Sequence, residues 1–200
     1  MNQISRATPL YEFLRLCNES TLERIVLDCG AGGENPPLSL FYQAGYKTFG
    51  IEIAEKPLGQ AKEFCRKNEM DLNIINADMR HIPFINEQFG FAYSFNAIFF
   101  MTKPDIAVSM SEMARVLKPG GLCYVNFKSI DDPDDRTFCK SAFTSRLLGS
   151  THFARFEDDE ADRYFDDFEI LLKEKRCIDR LFDCRRLKTV LIQYIGQKNQ

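Results

Sequence analysis

Three carboxylates stand at the ends of three apolar runs: Asp28 after Arg24-Ile25-Val26-Leu27, Glu52 near the end of residues 46–53, and Asp78 just past residues 72–77. The first leads directly into Cys29-Gly30-Ala31-Gly32-Gly33. Gly30 and Gly32 admit backbone angles closed to other residues, and without side chains they let a ligand approach the main chain, with Ala31 between them. Asp28 beside them can reach a cationic group. About twenty residues further on, a carboxylate at Glu52 can accept hydrogen bonds from both hydroxyls of a ribose. One at Asp78 can accept from an adenine amino group, while Ile53 and Met79 offer apolar surface to the faces of the ring. Taken singly, each acid could cap a turn or a helix, and the glycines could serve a tight turn alone. Three acids at successive strand ends form a more specific pattern.

Those strand ends need a framework. Leu10, Phe13, Leu14 and Cys17 recur at helical spacing after Thr8-Pro9, so a helix precedes the first strand. After the glycines, Asn35 is expected to cap a helix whose first positions are Pro36 and Pro37, ending near Ala44-Gly45. Residues 46–53, 57–68 and 72–77 then read as strand, helix and strand. Residues 89–95 form a fourth strand, 104–117 a helix closed by Lys118-Pro119-Gly120-Gly121, and 122–127 a fifth strand. Strands alternating with helices predict a parallel sheet covered on both faces. Residues 157–168 read as a short helix. Residues 170–179 and 189–195 are joined too closely for a parallel crossover, so they form an antiparallel hairpin.

The 200 residues, 44% hydrophobic, are enough for one core and predict a single domain over 1–200. Within it, 1–21 is a helical cap, 22–128 the ligand-binding core, 129–156 an insertion above the sheet, and 157–200 the C-terminal helix and hairpin. No apolar stretch approaches a membrane span and the first residues lack signal-peptide blocks, which predicts a cytoplasmic protein. Seven scattered cysteines without a CxxC pair argue against a disulfide framework and a metal site. A net charge of −3 argues against a phosphate-tracking surface spread over the protein, and no nucleic-acid partner is expected.

The sequence resembles the class I S-adenosylmethionine-dependent methyltransferases, in particular the small-molecule branch that includes ubiquinone and menaquinone biosynthesis enzymes. The resemblance spans roughly residues 22–128. It rests on Val26-Leu27-Asp28-Cys29-Gly30-Ala31-Gly32-Gly33, Gly50-Ile51-Glu52-Ile53, Asn76-Ala77-Asp78-Met79, Ile82-Pro83-Phe84 and Met113-Ala114-Arg115-Val116-Leu117-Lys118-Pro119-Gly120-Gly121. It implies a Rossmann-like, doubly wound α/β fold with a mostly parallel seven-stranded sheet. It further implies S-adenosylmethionine as cofactor and S-adenosylhomocysteine as product. The 30–32 turn would hold the methionine portion, Glu52 the ribose, and Asp78 with Met79 the adenine. Ser94 and Phe95 would line the wall near the sulfonium. The sequence departs from the family at Gly90, where an aspartate is frequent.

Methyl transfer to a small-molecule acceptor needs alignment more than a dedicated base, and no catalytic residue is assigned. Tyr11, Phe99 and His152 are candidate acceptor contacts, with Phe95, Phe100, Phe138 and Phe143 making an apolar surround. His81 reads as a structural or cofactor-edge residue. Two other functions share these features. A nicotinamide-dependent oxidoreductase would need a third glycine where Asn35 stands. A catalytically silent module could keep the fold and the cofactor and serve a partner instead.

Overall fold

The computed structural model describes residues 9–133, 154–182 and 185–200. The chain begins with α1 (Pro9–Glu19), then β1 (Ile25–Cys29), α2 (Leu38–Gln43), β2 (Lys47–Glu52), α3 (Glu55–Asn68), β3 (Ile74–Asn76) and β4 (Phe89–Ser94). It continues through α4 (Lys103–Val116), β5 (Leu117–Ser129), β6 (Arg155–Phe156), β7 (Phe168–Phe182) and β8 (Arg185–Lys198). The sheet runs β3-β2-β1-β4-β5-β8-β7, with β6 added beside the end of β5. Strands β1 to β5 pair in parallel, and β8 lies antiparallel between β5 and β7. The expected doubly wound sheet and hairpin are therefore present, with one further two-residue strand. Strand order reverses at β1, which puts the crevice for a ligand at its carboxyl end.

Alternating side chains divide the core between the two faces of the sheet. On one, Val26, Phe91, Tyr93, Tyr124 and Ile195 meet α1 and α2; on the other, Leu27, Cys29, Ala92, Val125 and Phe127 meet α4. Phe13 anchors α1, its fully buried ring lying 5.9, 6.1 and 5.8 Å from Phe41, Tyr93 and Tyr124. Burial of one such ring contributes roughly 1.5–3 kcal/mol, enough to seat a three-turn helix that would be marginal alone.

Two expected helices are altered. Helix α2 starts at Leu38, with Pro37 at its N-cap and no side-chain capping bond, so Asn35 does not cap it. A residue before proline is driven away from the helical region, and Pro36 precedes Pro37. Ser39 Oγ instead donates to the Pro36 carbonyl at 2.8 Å. Between 157 and 168 only a 3-10 turn, Glu160–Tyr164, forms. The acids of this segment are held by other elements: Lys173 binds Asp159 and Asp162, Lys103 binds Glu160, and the buried Tyr194 donates to Asp162.

The loop after β3 is clamped by α4. Arg115 donates to the carbonyls of Ile82 and Phe84 and to Asn86 Oδ1, each at 2.9 Å, while Glu112 Oε2 accepts the Ile82 N–H at 2.8 Å. Charged hydrogen bonds of this kind are worth about 1.5–3 kcal/mol each, with partial solvation reducing the sum. Arg115→Met is expected to lower unfolding free energy by about 2–3 kcal/mol. In urea the midpoint should fall at constant m-value. A loss below about 0.5 kcal/mol, the ordinary effect of a surface substitution, would show that the loop holds itself.

Candidate active site

At the carboxyl end of β1 the chain turns through two glycines in the left-handed half of backbone space, Gly30 at φ +113° and Gly33 at φ +106°. A Cβ on Gly30 would also collide with the Ala97 methyl, and one on Gly32 would lie 2.5 Å from both Glu52 Oε2 and Pro57 Cβ. The turn is thus pressed between the segment after β4 and the end of β2. Its amides are spent in holding that position. Gly30 and Ala31 donate to the Ile51 carbonyl at 2.9 and 3.0 Å, Gly32 to Glu52 Oε2 at 3.2 Å, and Gly33 to the Pro57 carbonyl at 2.9 Å. What remains toward a ligand is acceptor surface.

Asp28 adds to that surface. Its side chain is buried on the α1 face, and Oδ2 has no hydrogen-bond partner. Burial pushes its carboxyl up to about 8; the Tyr93 hydroxyl beside it acts downward, short of hydrogen-bond geometry, and the Glu52 charge acts upward. A buried acceptor left without a partner costs about 1–3 kcal/mol, and such orphans are few in native proteins.

Glu52, half-buried, bridges the turn to its own strand end: Oε2 takes the Gly32 amide and Oε1 the Ala54 amide at 2.8 Å. Burial raises its pKa against the pull of those amides. A carboxylate has about four lone-pair sites, so about two stay open for a diol. Asn76 steadies the place by donating to the carbonyls of Glu52 and Ile53, at 3.0 and 3.1 Å, and Ile53 presents an exposed face.

Asp78 differs from the sequence expectation in having a partner of its own. Arg80 Nη2 meets Oδ2 at 2.6 Å, Nε meets both oxygens, the Arg80 amide meets Oδ1 at 2.9 Å, and the same guanidinium reaches Asp105 at 3.2 Å. Burial raises the Asp78 pKa, but these bonds outweigh it and hold the carboxyl below its usual range. An amino group could share this carboxylate only through its remaining lone pairs. Met79 packs partly buried against the α4-side core.

At the end of β4, Ser94 and Phe95 differ. Ser94 is fully buried with an unpartnered hydroxyl, whereas Phe95 joins the α1 face, its ring 6.2 Å from Tyr124. Asn96 follows at φ +56°, its amide donating to Asn126 Oδ1 at 2.8 Å and its Oδ1 accepting from Asn126 Nδ2 at 2.6 Å. This pair sets the turn that carries Ala97 against Gly30, and the sequence reading missed it. The readiness of asparagine for left-handed angles was the available signal.

Of the residues expected to contact an acceptor, Tyr11 is 40% exposed on α1, and Phe99 is buried with its ring 5.2 Å from Phe100. His81 is exposed. His152, Phe138 and Phe143 lie outside the described residues, as does most of the 129–156 segment. A pocket of about 260 Å³ opens elsewhere, between the first turn of α1 and the hairpin, with Pro9, Glu12, Tyr124, Leu172, Gln193 and Ile195 among its walls.

Residues 27–125 match the model of a family described as a methyltransferase domain. The chain carries a methyltransferase domain. Among curated relatives, the methyltransferase GfsG of Streptomyces halstedii is 29% identical over 126 residues, covering 58% of this chain and 45% of that protein. The demethylmenaquinone methyltransferase of Staphylococcus aureus is 32% identical over 94 residues, 47% of this chain and 38% of its own length. The chain thus spans less than half of these relatives. Among solved structures, an S-adenosylmethionine-dependent methyltransferase from Methanosarcina mazei superposes with a TM-score of 0.68 at 20% identity, covering 98% of this chain and 99% of that one. That likeness is one of fold. The domain's match begins at Leu27 and ends at Val125, so it contains the glycine turn and all three strand-end acids.

Proposed function

We propose that this domain binds S-adenosylmethionine at the 28–33 turn and catalyses transfer of its methyl group to a small-molecule acceptor, leaving S-adenosylhomocysteine. The observation that carries this reading is the polarity of the turn: four engaged amides, with a buried carboxyl beside them whose Oδ2 has no partner. Such a surface suits the ammonium group of an amino acid. A dinucleotide pyrophosphate instead needs free N–H groups at a helix N-terminus, and α2 begins only at Leu38, behind two prolines. The nicotinamide reading fails on the same observation that supports the methyl donor.

In this reading Asp28 and the turn carbonyls hold the ammonium, Glu52 the ribose diol, and Asp78, steadied by Arg80, the adenine edge between Ile53 and Met79. Phe95 supplies an apolar wall on the Asp28 face. The bound donor supplies an electrophilic methyl group on a good leaving group. The protein's part is to align an acceptor atom in line with that group and keep water away, which can reduce a barrier by several kcal/mol without a base. The acceptor class follows relatives such as the demethylmenaquinone and 27-O-demethylrifamycin SV methyltransferases. Among the described residues no helix is long and apolar enough to cross a membrane, and the proposed location is the cytoplasm.

Calorimetric titration with S-adenosylmethionine, S-adenosylhomocysteine and NAD tests the reading. Micromolar binding of the first two and none of NAD is expected. Saturable NAD binding without response to either sulfur compound would sink it. Incubation of metabolite extract with methyl-labelled donor separates an enzyme, which labels an acceptor, from a silent module.

A further inference from the structure

Strand register carries one row of side chains across the α1 face: Asp28 opposes Tyr93, Tyr93 opposes Tyr124, and Tyr124 opposes Ile195. With strands about 4.8 Å apart, Tyr124 stands on the order of 10 Å from the strand of Asp28. The Pro9 end of α1 reaches the same edge of the sheet. Its opposite end leads into the start of β1, and there Asn18 accepts from the Tyr46 hydroxyl just ahead of β2. The pocket between Pro9, Glu12 and the hairpin therefore borders the carboxyl ends of the strands. Its volume of about 260 Å³ lies below the roughly 300–1,000 Å³ of sites that enclose whole ligands, a size suited to one portion of a longer molecule.

Its polar groups form a directed chain. The buried Tyr124 hydroxyl donates to Gln193 Oε1 at 3.3 Å, which fixes the amide so that Nε2 donates to Glu174 Oε2 at 2.8 Å. Arg176 Nε stands 3.6 Å from the other Glu174 oxygen. Tyr124 and Gln193 are almost wholly buried and form the floor, whereas the Glu174 side chain is 48% exposed at the rim. A solvated surface glutamate needs no such support; here two buried polar side chains are committed to orienting it. Glu12 is paired with Arg15 on its own helix, and Arg176 lies to one side of Glu174, which leaves Glu174 Oε2 as the rim acceptor facing the pocket.

Resting on the methyl-transfer reading, we propose that this pocket anchors the methyl acceptor, and that the anchored portion is a hydroxyl or amine on an apolar frame, uncharged or cationic. Glu174 accepts the hydrogen bond, Gln193 and Tyr124 position it, and Leu172 and Ile195 cover the frame. A carboxylate or phosphate in that place would face the Glu174 oxygen with no hydrogen to donate. Phe13 and Tyr93 fill the sheet face between the pocket and Asp28, so an acceptor anchored here passes over the strand ends and needs a long dimension greater than about 10 Å to reach the cofactor turn.

The test uses the full chain, isotope-labelled and saturated with S-adenosylhomocysteine, with three probes on one frame: 4-methylbenzylamine, 4-methylphenol and 4-methylbenzoate. The Gln193 side-chain amide resonances should shift with the amine and the phenol, each binding at least fivefold more tightly than the benzoate. Glu174→Ala, an exposed change that spares the core, should remove that preference; Tyr124→Phe should reduce it about twofold. Benzoate binding as well as the amine, or Gln193 silent to all three probes, overturns the proposal. Failure of the donor reading shows separately, as backbone amides of residues 30–33 that do not respond to S-adenosylhomocysteine.

Discussion

Replacing Glu52 with alanine is expected to weaken S-adenosylmethionine binding roughly 100- to 1,000-fold, the loss of two hydrogen bonds to a charged acceptor at about 1.5–3 kcal/mol each, discounted for partial exposure. The difficulty is that Glu52 also ties the turn to β2 through the Gly32 and Ala54 amides. Its removal should therefore cost about 1 kcal/mol of stability as well. Two comparisons separate these roles. Glu52→Gln keeps an acceptor oxygen for the turn and should weaken binding only about tenfold. A 2′-deoxy analogue of S-adenosylhomocysteine should bind the wild type poorly, yet match the parent compound on the alanine variant, since the partner of the missing hydroxyl is then already gone. Calorimetry on the four combinations reads the coupling directly. If Glu52→Ala lowers the urea midpoint but leaves affinity within twofold, Glu52 is a strut and the ribose assignment fails.

How much of this was written in the sequence depends on whether neighbours in the chain or neighbours in space decide it. The strands around Asp28, Glu52 and Asp78 were legible because apolar runs and glycine turns are local signals, and the order of elements then requires the parallel sheet. Helix α4 was legible for the same reason, its buried Ile106, Met110, Met113 and Ala114 falling at helical spacing. The failures come where tertiary contacts dominate. Residues 157–168 have enough apolar character to read as a helix, but lysines from β7 and α4 recruit their acids into another shape. The glycines read as openings for a ligand, yet Gly30 and Gly32 also permit close packing on Ala97 and Glu52, contacts made across 67 and 20 residues of chain that spacing does not reveal. The Arg80 clamp on Asp78 was adjacent in sequence and still missed, because a carboxylate two residues from an arginine is ordinary until both side chains are seen to converge.

Asp28 gives the sharpest dependence on pH. Its carboxyl moves from an ordinary 3.8 to about 8 in the folded chain because burial disfavours the charge. Between those limits the native state holds a proton that the unfolded state does not, so stability falls as pH rises. The contribution is fully present below about pH 4 and is lost once pH passes 8, a swing of about 6 kcal/mol. Asp28→Asn keeps the shape and cannot ionise. Its stability relative to wild type should rise by about 1.4 kcal/mol per pH unit from pH 5 to 8, then level off. Urea melts of both proteins at pH 6, 7.5 and 9 check this, and parallel curves would show Asp28 ionised throughout. The same proton governs the ligand. Below pH 8 the carboxyl must release it to pair with an ammonium group, so donor affinity in the wild type should climb toward tenfold per unit. Above that the ligand's own α-amino group, with a pKa of about 8, loses its charge and affinity declines. The maximum belongs near pH 8, and Asp28→Asn should abolish the acidic limb while leaving the alkaline one. An acidic limb that survives the substitution would assign the titration to Glu52, the other strand-end acid whose pKa burial raises, and would take the ammonium contact away from Asp28.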